Sequence, residues 1–338
     1  MGERAYAYAK ACGIIGKSFV GKRIGNLERA SRLSELDRII FPFTAQNMPE
    51  KELLHDLEKR ITTRAVTSII SMVECFSEAP AMLVLLLRSY EYADLKNALF
   101  SYLEKEKDIP HCTDIGRYQT VRFDKWPDIK AMLEETEFDF LLDNKGGLKR
   151  ELEKTSLHTV LDRHYYTALW KSMSSLPEKD KYAAQKILSD EISLMNSGWV
   201  LRLRTYYQMS SSDVKQHLID IHLKGKKTRS LMDEASSCLD YPLDNYSSWS
   251  SWRWREFLNP DTGGRSWRAD PRYFQNAASG YLYRLASHYF HLRPFSLDTI
   301  FCFARIKQFE EDILTSNAEG LGMGMSGKDT LSMLGFES

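Results

Sequence analysis

No stretch of this sequence approaches the roughly 18 to 20 consecutive apolar residues that span a bilayer. The longest apolar run, Ala79 to Leu87, is short and contains Pro80. The first residues carry Glu3 and Arg4 and lack the apolar centre of a signal peptide. Membrane association is therefore expected only through a partner. An excess of one charge is missing too: 46 Lys plus Arg balance 46 Asp plus Glu. That balance argues against a broad electrostatic grip on nucleic acid or anionic lipid. The five cysteines, Cys12, Cys75, Cys112, Cys238 and Cys302, are scattered, odd in number and without a C-x-x-C pair. They give no disulfide framework or zinc knuckle and fit a reducing compartment. Period-two alternation is scarce as well, with Arg117 to Phe123 the nearest candidate strand.

What is present is helix after helix. At 338 residues the chain exceeds the size of one growing core, so two or three subdomains are expected. Ser77-Glu78-Ala79-Pro80 reads as a helix start, and Met82, Leu83, Leu86, Leu87 and Tyr90 follow near the helical period. After Pro177, Lys181 to about Tyr207 reads as one long helix, with Gly198 inside the pattern. A third begins after Pro294, where Ser296 can cap and Ile300, Phe303, Ala304, Phe309 and Ile313 follow. Loops are expected at 143–147, 210–213, 242–251 and 259–266, where Pro, Gly, Ser and Asn collect. Asp94-Leu95-Lys96-Asn97 and Ser193-Leu194-Met195-Asn196 superpose, and a third copy falls around Glu310 to Leu314. So long a period suggests triplicated helical subdomains, expected at 1–110, 111–212 and 213–338.

Several motifs invite a chemical reading. Ala11 to Ser18 fits a loose phosphate-loop pattern, but an Ala-rich helix former precedes it where a strand is needed. It reads as a chance match. His55-Asp56 and the pair His288 and His291 lack the further ligands that a metal centre needs. Glu310-Glu311-Asp312 reads as a solvated face with local ion pairs. Trp249, Trp252, Trp254 and Trp267, set among Arg253, Arg255, Arg265 and Arg268, read as packing beneath an ordered loop or as a protein interface. Asn97 and Asn196 are poor helix formers whose amides are expected to bond a neighbouring helix or loop carbonyl.

These residues resemble the C-type subunits of bacterial and archaeal V/A-type ATPases, whose vacuolar counterparts are the d-type subunits. Ala5 to Ala11 looks like the family's first helix, and Glu35 to Pro42 like the short segment after it. Tyr92 to Asn97 resembles the stretch ending in a helical Asn. Leu161-Asp162-Arg163-His164-Tyr165 is similar to the Leu-Asp-x-x-Tyr helix, followed by Glu191 to Asn196 and Arg202. Lys307-Gln308-Phe309-Glu310 stands where the family carries Lys-Glu-x-Glu, with Gln308 replacing an acid and Ile313 near the usual Asn. The resemblance implies an all-α fold of three similar subdomains in a funnel with pseudo-threefold symmetry. It also implies a non-catalytic central-stalk socket between rotor-shaft subunits and the proteolipid ring, at the cytoplasmic face of the membrane, with no cofactor. Asn97, Asp162, Tyr165, Asn196, Arg202, Lys307 and Glu310 would be structural. The rival expectations are an all-helical enzyme whose metal or phosphate site draws on His55, His288 or His291, and a helical-repeat scaffold. The repeats of a scaffold are normally roughly 33 to 47 residues long.

Overall fold

The computed structural model describes residues 2–150, 152, 154–223, 229–263 and 266–335. Among the described residues lie twelve α-helices: α1 (Gly2–Ile15), α2 (Leu33–Ile40), α3 (Glu50–Val73), α4 (Ala81–Leu103), α5 (Ile129–Leu133), α6 (Lys154–Ser174), α7 (Glu178–Tyr206), α8 (Ser211–Gln216), α9 (Asp233–Ser237), α10 (Pro271–Leu292), α11 (Leu297–Gly322) and α12 (Gly327–Met333). One two-residue antiparallel pair, β1 (His222–Leu223) with β2 (Arg229–Ser230), is the sheet structure described. The all-α class is as expected. Arg117 to Phe123 is not a strand: it runs through single-turn 3-10 helices at Gly116–Tyr118 and Phe123–Lys125.

The helices form where local sequence and burial agree. In α3, Leu53, Leu57, Ile61, Ala65, Ile69 and Val73 recur every fourth residue, and all are buried. Pro49 precedes the first turn, and Glu50 and Glu52 lie within it, where the helix dipole favours carboxylates. The helix expected from Lys181 starts one turn earlier, at Glu178 directly after Pro177, and runs unbroken through Gly198. Ser296 precedes α11 as expected, but its hydroxyl donates to the Arg293 carbonyl at 2.8 Å instead of capping. Ser210 to Asp213, expected as loop, opens α8, because the Ser210 hydroxyl accepts the Asp213 N–H in the manner of an N-cap.

Contacts divide the chain into two compact units: 1–83 with 178–183 and 279–338, and 84–177 with 184–278. In the first, α3 packs along α11, with α1, α2 and α12 around them. α11 is buried on nearly every side: Ile300, Phe301, Phe303, Ala304, Ile306, Ile313 and Leu314 leave little exposed. In the second unit, Leu86, Leu87, Leu95, Ala98 and Leu99 of α4 join Leu161, Leu169, Ile187, Leu188, Ile192 and Val200 in the core. The tryptophan cluster belongs to this unit. Trp249, Trp252, Trp254 and Trp267 are buried, and each indole N–H is satisfied: Pro242, Glu234 and Asn259 offer carbonyls and Ser193 a hydroxyl. These rings pack beneath an ordered loop, with Trp249 and Trp252 edge-on at 5.0 Å.

In the first unit α12 meets the chain near its start. The Gly327 N–H donates to the Ala30 carbonyl at 2.9 Å. A Cβ at Gly327 would lie 2.3 Å from the Leu27 carbonyl oxygen and 2.9 Å from that of Ala30. Both obstacles are backbone, which cannot rotate away. Gly327→Ala is expected to lower stability by about 1–3 kcal/mol, as overpacking does, in chemical denaturation of the full chain. A wild-type midpoint for this variant would contradict the close approach.

Candidate functional site

The two motifs with catalytic overtones resolve into ordinary structure. Cys12 to Ile15 is the last turn of α1, and Gly16, Lys17 and Ser18 give their N–H groups to the carbonyls of Cys12, Ile14 and Ile15. Those donors close the helix end, so they do not form the cradle a phosphate needs. His55 is exposed on α3, while Asp56 pairs with Arg60 at 3.3 Å. His288 and His291 are exposed on α10, and His291 Nδ1 lies 3.4 Å from the Tyr8 hydroxyl. Among the described residues no three His, Cys, Asp or Glu gather in a way that could hold a metal.

The notable chemistry is instead a set of clasps, in which a polar side chain inside a long helix grips the backbone of a distant loop. In α4, Glu91 is 1% exposed and accepts the N–H groups of Thr120 and, at 2.6 Å, Val121. Its other oxygen takes the Arg88 Nε–H at 2.8 Å, and Arg88 reaches on to Glu137 at 2.9 Å. One turn along, Asp94 accepts the Thr113 N–H at 2.6 Å. The segment 113–121 is thus fixed to one face of α4. The Tyr92 hydroxyl lies 2.8 Å from Glu137 and 2.7 Å from His164 Nδ1, extending the network to α6. Burial is the main cause that lifts the Tyr92 hydroxyl above its ordinary value, and it also pushes His164 down.

In α7 the clasp is an amide. Asn196, fully buried, donates to the Ile219 carbonyl at 2.9 Å and accepts the Ile219 N–H at 2.8 Å. Nearer the start of α7, buried Asp190 takes Lys186 and Arg253, both at 2.7 Å, which ties down the tryptophan loop. In α11, buried Glu310 pairs with buried Lys307 and accepts the Phe19 N–H at 2.6 Å, with Arg64 at 3.8 Å. Burial opposes both charges. Lys307 and the Phe19 N–H nevertheless hold the Glu310 carboxyl below its ordinary value, while Lys307 is itself lowered. Further along α11, Asn317 is fully buried and donates to the Gly327 carbonyl at 3.4 Å.

Set against expectation, Asn196 occupies the role foreseen for it, whereas Asn97 does not. The Asn97 side chain is exposed, and the loop-holding position on that helix is Asp94. Glu310 is a buried partner of Lys307, not part of a solvated face. Asp162 pairs with Lys96. Tyr165 is buried, edge-on to Tyr92 at 5.1 Å. Arg202 is exposed, its guanidinium 5.9 Å from the Trp199 ring centre. Glu91, Asp94, Asp190 and Asn317 were not singled out in advance. Glu91 and Asp94 did leave a signal, because they share the helical stripe of Leu87, Leu95 and Ala98, where a charge without a partner would be costly.

Long helices whose buried acids and amides fasten loop backbone make this an all-α protein built around side-chain-to-backbone clasps. Over residues 42–332 the chain matches the ATP synthase (C/AC39) subunit family, and it belongs to that family. It is also similar to a Treponema pallidum (strain Nichols) protein described as uncharacterized, 29% identical over 323 residues covering 94% of this chain and 92% of that one. Glu91, Asp94, Asn196, Lys307, Glu310 and Asn317 all fall inside the family span, while Phe19 precedes it.

Three substitutions test the clasps. Asn196→Ala leaves both backbone groups of Ile219 buried without partners and is expected to cost about 2–4 kcal/mol in denaturant melts. Asn97→Ala, at an exposed position, is expected to stay within about 0.5 kcal/mol of wild type. Burial lifts the Asp94 carboxyl to about 6, against the Thr113 hydrogen bonds and with help from the Glu91 charge. Its folded value therefore lies above its unfolded value of 3.8. The folded state holds the proton more tightly, so stability falls as pH rises from about 4 through about 6. Asp94→Asn keeps an acceptor for Thr113 and is expected to exceed wild type by about 1–3 kcal/mol at pH 7.5. That advantage should vanish below pH 4, and a variant less stable at pH 7.5 would reverse the assignment.

Proposed function

We propose that this chain is the non-catalytic central-stalk socket of a rotary V/A-type ATPase, joining rotor-shaft subunits to the proteolipid ring at the cytoplasmic face of the membrane. Membership of the ATP synthase (C/AC39) subunit family over residues 42–332 is the observation that carries this reading. The clasps support it physically. A part that passes torque between two partners must not let its loops yield, and buried charge-assisted bonds to loop backbone resist such yielding. No described helix is long and apolar enough to cross a membrane, in keeping with attachment through the ring.

The three expected subdomains, 1–110, 111–212 and 213–338, each hold one clasp helix: α4, α7 and α11 respectively. We read these as copies of one element arranged with pseudo-threefold symmetry in a funnel. Such a socket works by shape and stiffness, so it requires no cofactor.

Tagged chain recovered from native membranes in mild detergent is expected to bring rotor-shaft subunits and proteolipid with it, identified by mass. Recovery alone, under conditions that leave the rotary complex intact, would overturn the proposal.

A further inference from the structure

A cavity of about 510 Å³ lies in the second unit, walled by Phe100, Trp199 and Tyr207 and edged by His158, Asp162 and His217. Its volume falls within the usual range of small-molecule sites, roughly 300 to 1,000 Å³, and its lining has their usual character of apolar walls with a few polar groups. Much of the lining is held by contacts already described or close by. Ile219, part of the lining, is the residue Asn196 clasps through both backbone groups. The Phe100 ring lies 4.6 Å from that of His158. Lys96 holds Asp162 from α4.

The polar groups restrict what can enter. Lys96 donates to Asp162 Oδ1, and Oδ2 accepts no hydrogen bond among the described residues. Burial, with Lys96 nearby, keeps the His158 ring below its ordinary value, so it is neutral at physiological pH and one nitrogen is an acceptor. His217 Nδ1 is engaged with the Thr159 hydroxyl at 3.2 Å. The recess therefore offers aromatic faces together with unfilled acceptors. A phosphate would meet the Asp162 carboxylate, and an alkyl chain would bury these acceptors unpaired. A flat ring carrying N–H donors satisfies both the faces and the acceptors.

We propose that this cavity binds a planar, amino-substituted heteroaromatic small molecule, its ring among Phe100, Trp199 and Tyr207 and its N–H groups donated to Asp162 and His158. The inference does not depend on the rotary reading. Tyr207, 71% exposed, is the residue of the aromatic wall most open to solvent.

The probe is 2-aminobenzimidazole, titrated into the full chain by calorimetry and followed by ligand-observed NMR, with indole as the ring that lacks the amino edge. Saturable binding is expected, weakened at least tenfold by Asp162→Asn and by Tyr207→Ala, the latter an exposed site where folding is not at risk. Indole should bind less tightly and lose affinity with Tyr207→Ala but not with Asp162→Asn. Absence of saturable binding at millimolar probe, or binding that neither substitution alters, would overturn the assignment. So would binding to the isolated chain that disappears in its native complex, which would give the cavity to a partner's side chain.

Discussion

A carboxylate placed in the middle of a buried helix must find donors that the helix does not supply, since the helix N–H groups there are already engaged. Glu91 and Glu310 solve this in the same way, by accepting N–H groups from loops far along the chain: Thr120 and Val121 for one, Phe19 for the other. The requirement runs in both directions. Irregular segments lying against a core carry backbone groups that cannot all reach water, and these too need partners. Each bond thus satisfies a helix acid and a loop amide together. Nearby cations, Arg88 and Lys307, pair with the same acids, so each carboxylate meets a charge as well as an amide. Much of the loop structure follows from that pairing, including the course of 113–121 across α4 and the seating of the tryptophan loop through Asp190 and Arg253.

The parts of the fold governed by local pattern were legible in the sequence. The α7 pattern behind Pro177 and the burial of the tryptophans could be read from spacing and residue type. Positions decided by tertiary partners were harder. Asn97 and Asn196 are equivalent in the sequence repeat, yet one faces solvent and the other Ile219, because α4 meets its loop one turn earlier, at Asp94. Glu310 sits in a run of three acids that reads as surface. Only the nearness of Lys307 and the Phe19 amide makes it interior. Asn317 carries the same mid-helix signal as Asn196, four residues beyond the point where the family pattern directs attention.

Membership of the ATP synthase (C/AC39) subunit family gives these bonds a context. Under the proposed socket role, the useful property is loops that keep their position under load. Buried polar pairs serve this better than apolar contacts, which can slide without losing much area. An apolar surface tolerates many registers, whereas a carboxylate aimed at two named amides tolerates one. The same bonds make the molecule sensitive to single substitutions at positions remote from any surface.

The first unit is assembled from three separated stretches, 1–83, 178–183 and 279–338, whereas the second is made from 84–177 and 184–278. During synthesis the second set of residues is complete before the last stretch of the first begins. The α3 stripe, whose apolar residues are buried largely against α11, is made early and has no permanent cover until residues near 320 emerge. Roughly two hundred and fifty residues of translation separate the two. At about 5–20 residues per second this leaves the stripe exposed for tens of seconds at the slower rate. A ribosome stalled before α11 would release a chain with that apolar stripe still uncovered.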